Sequence, residues 1–251
     1  MSELVHYSVD RGIARIELDS PHNRNALSTQ LATELTDHLA TAATDPAVRA
    51  IELTHTGTVF CAGADLTEAT SQQQGTERMM ALLRSFIELP KPVVITVNGH
   101  VRAGGLGLVG AGDIVLAGPA CTFAFTEVRI GVAPAIIALT TAGRMTERAL
   151  SRYFLTGETF DSATAAAVGL VTEAVPDVPA AARSVFAALR LCSPQALAAI
   201  KPITTAARRA AFDADNGAMA ELSARLFGTD EAREGMLAFL QKRPASWVVQ
   251  P

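Results

Sequence analysis

Three stretches of this chain hold residues whose types and spacing could do chemistry. The first is Val59-Phe60-Cys61-Ala62-Gly63-Ala64-Asp65-Leu66. Its small residues let main chain approach a ligand closely, although an ordinary strand-to-helix turn has the same composition. The second is Val97-Asn98-Gly99-His100-Val101-Arg102-Ala103-Gly104-Gly105-Leu106-Gly107-Leu108. It leads from an apolar run into glycines able to open a helix. A helix start offers unpaired N–H groups and positive dipole charge, which suits a developing oxyanion. The third is Phe123-Ala124-Phe125-Thr126-Glu127-Val128-Arg129-Ile130-Gly131-Val132-Ala133-Pro134. Glu127 is an acid among apolar neighbours. If buried, it has a raised pKa and can shuttle a proton. A solvated strand acid, or a pair with Arg129, fits the same residues.

Gly105, Gly107 and Gly110 also match the G-x-G-x-x-G spacing of dinucleotide folds, but the context is wrong. Seven residues separate Val97 from Gly105 where a tight turn is required. Only Ala111 and Gly112 then precede the next strand candidate, which leaves no room for a full helix. No phosphate-binding G-x-x-x-x-G-K-[ST] loop is present.

Regular elements must position these stretches. Val5, Tyr7 and Val9 alternate, Asp10-Arg11-Gly12 turns, and Ala14, Ile16 and Leu18 alternate again, which predicts a hairpin. After the loop Ser20 to Asn25, Leu27, Leu31, Leu35 and Leu39 recur at helical spacing. Val48 to Leu53 predicts a strand, Gly57 to Leu66 a loop, and Gly75 to Leu89 a helix closed by Pro90 and Pro92. Pro92 to Val97 is an apolar run suited to a strand buried on both faces, and Asp113 to Ala117 predicts another. Strands alternating with helices indicate an α/β fold. Beyond about residue 145 the pattern turns helical: Thr146 to Leu155, Ser162 to Val168, Val178 to Cys192, Pro194 to Arg209 and Thr229 to Lys242. Ser162 and Thr229 are candidate N-caps, and Gly157 and Gly169 candidate stops.

The totals narrow the function classes. The 251 residues, 49% hydrophobic, suffice for one large core. A net charge of −4 argues against nucleic acid or an anionic membrane as partner. No uncharged run reaches the roughly 18 residues a membrane helix needs. The N-terminus MSELVHYSVD has no apolar signal region. Cys61, Cys121 and Cys192 are odd in number and widely spaced. They suit a reducing cytoplasm and form neither a disulfide framework nor a metal site.

In this order, the three stretches resemble the crotonase superfamily, the enoyl-CoA hydratase/isomerase family. The resemblance runs from the hairpin through Asn25-Ala26-Leu27 to Phe239-Leu240-Gln241-Lys242-Arg243-Pro244. It implies a crotonase-type α/β spiral of repeated β-β-α units, with a core over residues 1–190 and a helical trimerisation region over 191–251. Ala64 and Gly104 would supply the two oxyanion N–H groups that hold a thioester oxygen as its enolate forms, with Glu127 as acid/base. Ala26, Ala62, Asp65, Leu66, Gly105 and Pro134 would line the substrate and CoA path, and Phe239 and Lys242 would reach CoA from the C-terminal helix, often across a subunit boundary.

The resemblance further implies an acyl-CoA thioester substrate in fatty acid or branched-chain metabolism, and no cofactor beyond the CoA that the substrate carries. It implies a homotrimer or a hexamer made of paired trimers. Family hydratases usually carry a second glutamate where this chain has Gly107. With that acid gone, the chain is expected to add water to an enoyl-CoA through Glu127 alone. The alternatives are migration of a double bond from 3-enoyl-CoA to 2-enoyl-CoA, or binding of acyl-CoA with little turnover. The segment Thr126 to Ile137 departs from the more usual glycine-rich sequence after the proline and is similar to that of members acting on branched or carboxylated enoyl-CoA, such as the methylglutaconyl type. Arg102 would be a surface or interface cation or the partner of a distal substrate carboxylate, His100 a satisfied loop histidine or part of the pocket lining, and Asp113 structural.

Overall fold

The computed structural model describes residues 2–68 and 72–249. The chain opens with β1 (Val5–Asp10) and β2 (Ile13–Leu18), an antiparallel hairpin turned by Arg11 and Gly12 at φ 44° and 80°. Two consecutive positive φ values give the twist that a tight hairpin needs. Helix α1 (Thr29–Thr44) follows, capped by the Ser28 hydroxyl on the Leu31 N–H. Its Leu31, Leu35 and Leu39 are fully buried, worth about 1.5–3 kcal/mol each against exposure.

Three turns of a spiral come next. The first is β3 (Ala50–His55), β4 (Val59–Cys61) and α2 (Gln72–Glu88). The second is β5 (Val93–Val97), β6 (His100–Arg102) and α3 (Gly104–Ala111). The third is β7 (Ile114–Ala117), β8 (Thr122–Ala124), a 3-10 turn over Thr126–Ile130, and α4 (Ala135–Thr141). In every turn the first strand joins a large sheet and the second a small one. The large sheet has the order β1-β2-β3-β5-β7-β10 and the small one β4-β6-β8-β9, with β9 at Phe160–Asp161 and β10 at Glu173–Ala174. Strands β3, β5 and β7 are mutually parallel, as are β4, β6 and β8. Strand β5 is buried at every position, as its unbroken apolar run requires. This is the β-β-α spiral expected from the sequence.

The remaining helices are α5 (Glu147–Thr156), α6 (Ser162–Ala167), α7 (Val178–Arg190), α8 (Pro194–Phe227) and α9 (Asp230–Leu240). Gly157 ends α5 in the left-handed region, and the Thr229 hydroxyl caps α9. Several sequence expectations need correction. The cap of α6 is the Asp161 carboxylate, not Ser162. The expected loop Gly57 to Leu66 contains β4, because three residues suffice once a neighbouring strand supplies the ladder. Strand β3 lies two residues later than expected at both ends. Helix α8 runs to Phe227 rather than stopping at Arg209, through Pro202 and Gly217. Packing outweighs local propensity there: α8 lies along α2 and α4, and its Phe212 enters the main core. The 191–249 region is thus continuous in packing with what precedes it.

Candidate active site

Each of the three chemical stretches follows a strand of the small sheet. Ala64 comes three residues after the end of β4, Gly104 two after β6, and Glu127 three after β8. Because β4, β6 and β8 are adjacent and parallel, the three residues leave the sheet at one edge, beyond the carboxyl ends of the strands. Ligand sites of open parallel sheets form there.

The loop after β4 is held by the segment before α1. The Ala62 N–H donates to the Arg24 carbonyl (3.1 Å), and the Leu27 N–H to that of Gly63 (2.8 Å). Buried Asn25 binds this segment together: its Nδ2 donates to the Thr56 and Val59 carbonyls, and its Oδ1 accepts from the Ser20 N–H. The Gly63 N–H faces the Cys61 sulfur at 3.4 Å. Among the described residues, the Ala64 N–H donates to no protein acceptor.

Gly63 adopts φ 92° and lies against the start of α3. A Cβ there would stand 3.1 Å from the Gly104 nitrogen and 2.8 Å from the Ala103 Cβ. Ala103 itself is at φ 47°, ψ −122°, the first central position of a type II′ turn, which favours glycine. Such strain is commonest at functional sites. The Gly104 N–H, first in α3, also donates to no protein acceptor among the described residues. Two main-chain donors on touching loops are thus left without a protein acceptor among the described residues.

Glu127 is half-buried as a residue, but its Oε2 is shielded from solvent and has no hydrogen-bond partner among the described residues. Burial pushes the carboxyl up to about 7, partly countered by its own main-chain N–H. No ion pair with Arg129 forms among the described residues. The turn carrying Glu127 is closed by the Val132 N–H on the Glu127 carbonyl and backed by α9.

The space beside Gly107 is filled. A Cβ on Gly107 would lie 2.7 Å from the Ile137 Cγ2 and 3.1 Å from the Met79 Cε. Met79 also approaches Gly104, as does Leu27. An apolar wall therefore stands where a second carboxylate would be. Pro134 is buried at the head of α4 and sets the helix that carries Ile137.

The other expected site residues divide into two groups. Ala26, Ala62, Asp65 and Leu66 cluster around the Ala64 loop. Asp65 accepts from the Asn23 Nδ2 and from the Thr67 N–H and hydroxyl, and these bonds hold its carboxyl below the usual range despite partial burial. Gly105 packs its Cα on Cys61. Phe239 and Lys242 lie at the far end of α9, both exposed. Lys242 ends α9 at φ 53°, with the Arg243 N–H returning to the Ala238 carbonyl.

Arg102 is not a free surface cation. Its guanidinium donates to the Val101 and Thr122 carbonyls and to the Thr122 hydroxyl, which ties β6 to β8 immediately before Ala103. His100 pairs with the same hydroxyl. Asp113 is structural: it receives the Val93 N–H (2.8 Å) and the Lys201 ammonium. The Cys61 thiol is pushed up to about 12 by burial, which removes it as a nucleophile. Among the described residues no cluster of three or more His, Cys, Asp or Glu could hold a metal ion, and no helix is long and apolar enough to cross a membrane. Cavities of about 180 and 550 Å³ lie elsewhere, beside Arg144 and Arg152. The site is therefore marked by converging polar groups rather than by volume.

Sequence reasoning missed Met79 and the backbone of Ala103. Met79 lies on an amphipathic helix like any core residue. The only signal at Ala103 was its place before two glycines.

The sequence profile of the enoyl-CoA hydratase/isomerase family matches residues 8–250. The crystal structure of an enoyl-CoA hydratase from Mycobacterium avium superposes with a TM-score of 0.92 at 50% identity, covering 99% of this chain and 100% of that one. The 2,3-dehydroadipyl-CoA hydratase of Escherichia coli is 30% identical over 252 residues, 97% of each chain. The mitochondrial enoyl-CoA hydratase of Pongo abelii is 30% identical over 243 residues, 94% of this chain and 83% of that protein.

Proposed function

The chain belongs to the enoyl-CoA hydratase/isomerase family, and from that premise we propose that it adds water to, or removes it from, an enoyl-CoA thioester with Glu127 as its single acid/base. The reading rests on one observation: Ala64, Gly104 and Glu127 leave three adjacent parallel strands at the same edge. The Ala64 and Gly104 N–H groups receive the thioester oxygen. As the enolate forms, that oxygen gains negative charge, and preorganised donors stabilise it more than the neutral carbonyl. Ionised Glu127 takes a proton from water as the hydroxyl adds to the β-carbon, then returns that proton to the α-carbon. A carboxyl near 7 populates both states at neutral pH, as such a cycle requires.

The Ile137–Met79 wall favours a second reading. A water molecule gains no hydrogen-bond partner from those side chains, whereas moving a double bond needs none. Glu127 would take the proton from C2 of a 3-enoyl-CoA and return it to C4. Separate incubations with a 2-enoyl-CoA and a 3-enoyl-CoA distinguish the two, because hydration removes conjugated absorbance and isomerisation creates it. No change with either, despite measurable binding, overturns both in favour of an acyl-CoA-binding protein.

Binding of CoA along Ala26, Ala62, Asp65, Leu66, Gly105 and Pro134, with Phe239 and Lys242 contributing from α9, belongs to the same proposal. So do a trimeric or hexameric assembly through the 191–251 region, a cytoplasmic setting, a role in fatty acid or branched-chain breakdown, and turnover without an added cofactor. The exposure of Phe239 and Leu240 on α9 supports an interface there. Sedimentation of the purified protein at a monomer mass removes the assembly proposal.

A further inference from the structure

We propose that Arg208 and Arg144, at the carbonyl end of α3, are positioning residues for the oxyanion donor at its amide end. This rests on the reading of Gly104 given above. Helix α3 has the sequence GGLGLVGA, with no hydrogen-bonding side chain. From Gly105 to Ala111 it is buried. Its side chains fix it by packing alone, with no directed bond, yet the Gly104 N–H must be placed to a fraction of an ångström to receive an oxyanion.

The helix is held through its carbonyls instead. The Thr140 hydroxyl donates to the Gly107 carbonyl (2.9 Å). Arg144 Nε donates to that of Gly110 (3.2 Å), and its Nη2 to that of Gly112. Arg208 Nη1 reaches the Ala111 carbonyl at 3.0 Å and that of Gly110 at 3.4 Å. Arg208 comes from α8, nearly a hundred residues further along the chain, and is buried. Asp113 lies immediately beyond, taking the Lys201 ammonium and standing 3.6 Å from Arg208 Nη2. Three cations therefore gather around one carboxylate at this end. Eight residues at about 1.5 Å rise put the Gly104 amide roughly 10 Å away. Cations at a helix C-terminus oppose its negative pole, and the surplus positive charge also favours the negative charge that grows at the other end. Helix α8 thus braces the proposed reaction site from behind as well as packing on the core.

The test uses the whole protein with two probes. The carbonyl stretch of bound butyryl-CoA, isotopically labelled at the thioester carbon, reports polarisation by the two donors without turnover. Steady-state kinetics on crotonyl-CoA separate kcat from KM. Arg208→Met is expected to reduce the shift of the carbonyl stretch. It should lower kcat roughly 10- to 100-fold, in line with a small misplacement of a reacting group, and hold KM within about twofold. Arg208→Lys should recover part of both. Arg84→Gln, which loosens α8 from α2 through Asp213 without touching α3, should leave the carbonyl shift unchanged. If Arg208→Met does not fold, Thr140→Val and Arg144→Met carry the same expectation. A folded variant among these that keeps the wild-type shift and kcat overturns the proposal. A wild type that shows no carbonyl shift overturns the oxyanion reading, and this proposal with it.

Discussion

Gly63 and Gly104 lie backbone to backbone: a Cβ on Gly104 would fall 3.3 Å from the Gly63 Cα, and one on Gly63 would fall 3.1 Å from the Gly104 nitrogen. The spacing of the two proposed oxyanion donors is set by this contact. Gly63→Ala adds a methyl group at φ 92° and forces the loops apart. We expect kcat on an enoyl-CoA substrate to fall by about 10²–10³, as when one oxyanion donor is lost, with the fold retained by circular dichroism. Near-normal turnover in a folded Gly63→Ala protein rules out this geometry.

Glu127→Gln separates chemistry from binding. Turnover should disappear while acyl-CoA affinity, measured by calorimetry, changes little, because the amide keeps shape and removes only the proton donor and acceptor. The same change should stabilise the protein at high pH. The folded carboxyl titrates near 7 against an ordinary value of 4.5, so ionisation opposes folding. That penalty is absent below about 4.5, grows through the interval, and is complete above 7. Denaturant midpoints at pH 8 should favour Glu127→Gln by at most ~3 kcal/mol, with the advantage vanishing by about pH 4.5. An equal advantage at both pH values contradicts the burial argument.

Restoring an acid at Gly107 should fail alone and succeed in company. Gly107→Glu drives its Cβ against Ile137, an overpacking change of about 1–3 kcal/mol. Adding Ile137→Ala makes room. The double variant should be more stable than the sum of the singles predicts, by roughly 0.5–3 kcal/mol in a double-mutant cycle. If hydration needs only a second carboxylate, its rate should rise in the double variant. Strict additivity would show that the two positions do not compete for the same space.

His55 provides an acid-sensitive latch outside the site. Its Nε2 accepts the Asn98 N–H (3.1 Å) and its Nδ1 pairs with the Thr56 carbonyl (3.1 Å), a pairing that requires the neutral ring. Burial lowers its pKa from the usual 6.5. Stability from this group is complete above about 6.5 and is lost as pH falls from there through the folded value. His55→Gln should be less stable at pH 7.5 yet show a flatter decline between pH 6.5 and 5 in thermal melts.

The elements that carry the site were legible because their signals are local. Val5 to Leu18 alternates, Leu31 to Leu39 repeats at helical spacing, and the run Pro92 to Val97 reads as a buried strand. The glycines before α3 marked a helix start, and Glu127 stood out as an acid among apolar residues. What stayed hidden depends on residues far apart in sequence. Ile137 closing on Gly107 and Arg208 reaching Ala111 have no local signature. The three-residue β4 exists only because β6 lies beside it. Helix α8 continues past Arg209, through Asp213, Asp215, Asn216 and Gly217, because the burial of Phe212 and Ser223 sustains it, which only tertiary packing shows.

The apolar wall at Gly107 has a bearing on heredity. In the proposed site, thioester activation would depend on main-chain atoms, which no single substitution deletes. The proposed acid/base, Glu127, is by contrast a side chain, carried on the third turn of the spiral. A lineage built this way keeps its grip on the carbonyl while trading one reaction for another, a residue at a time.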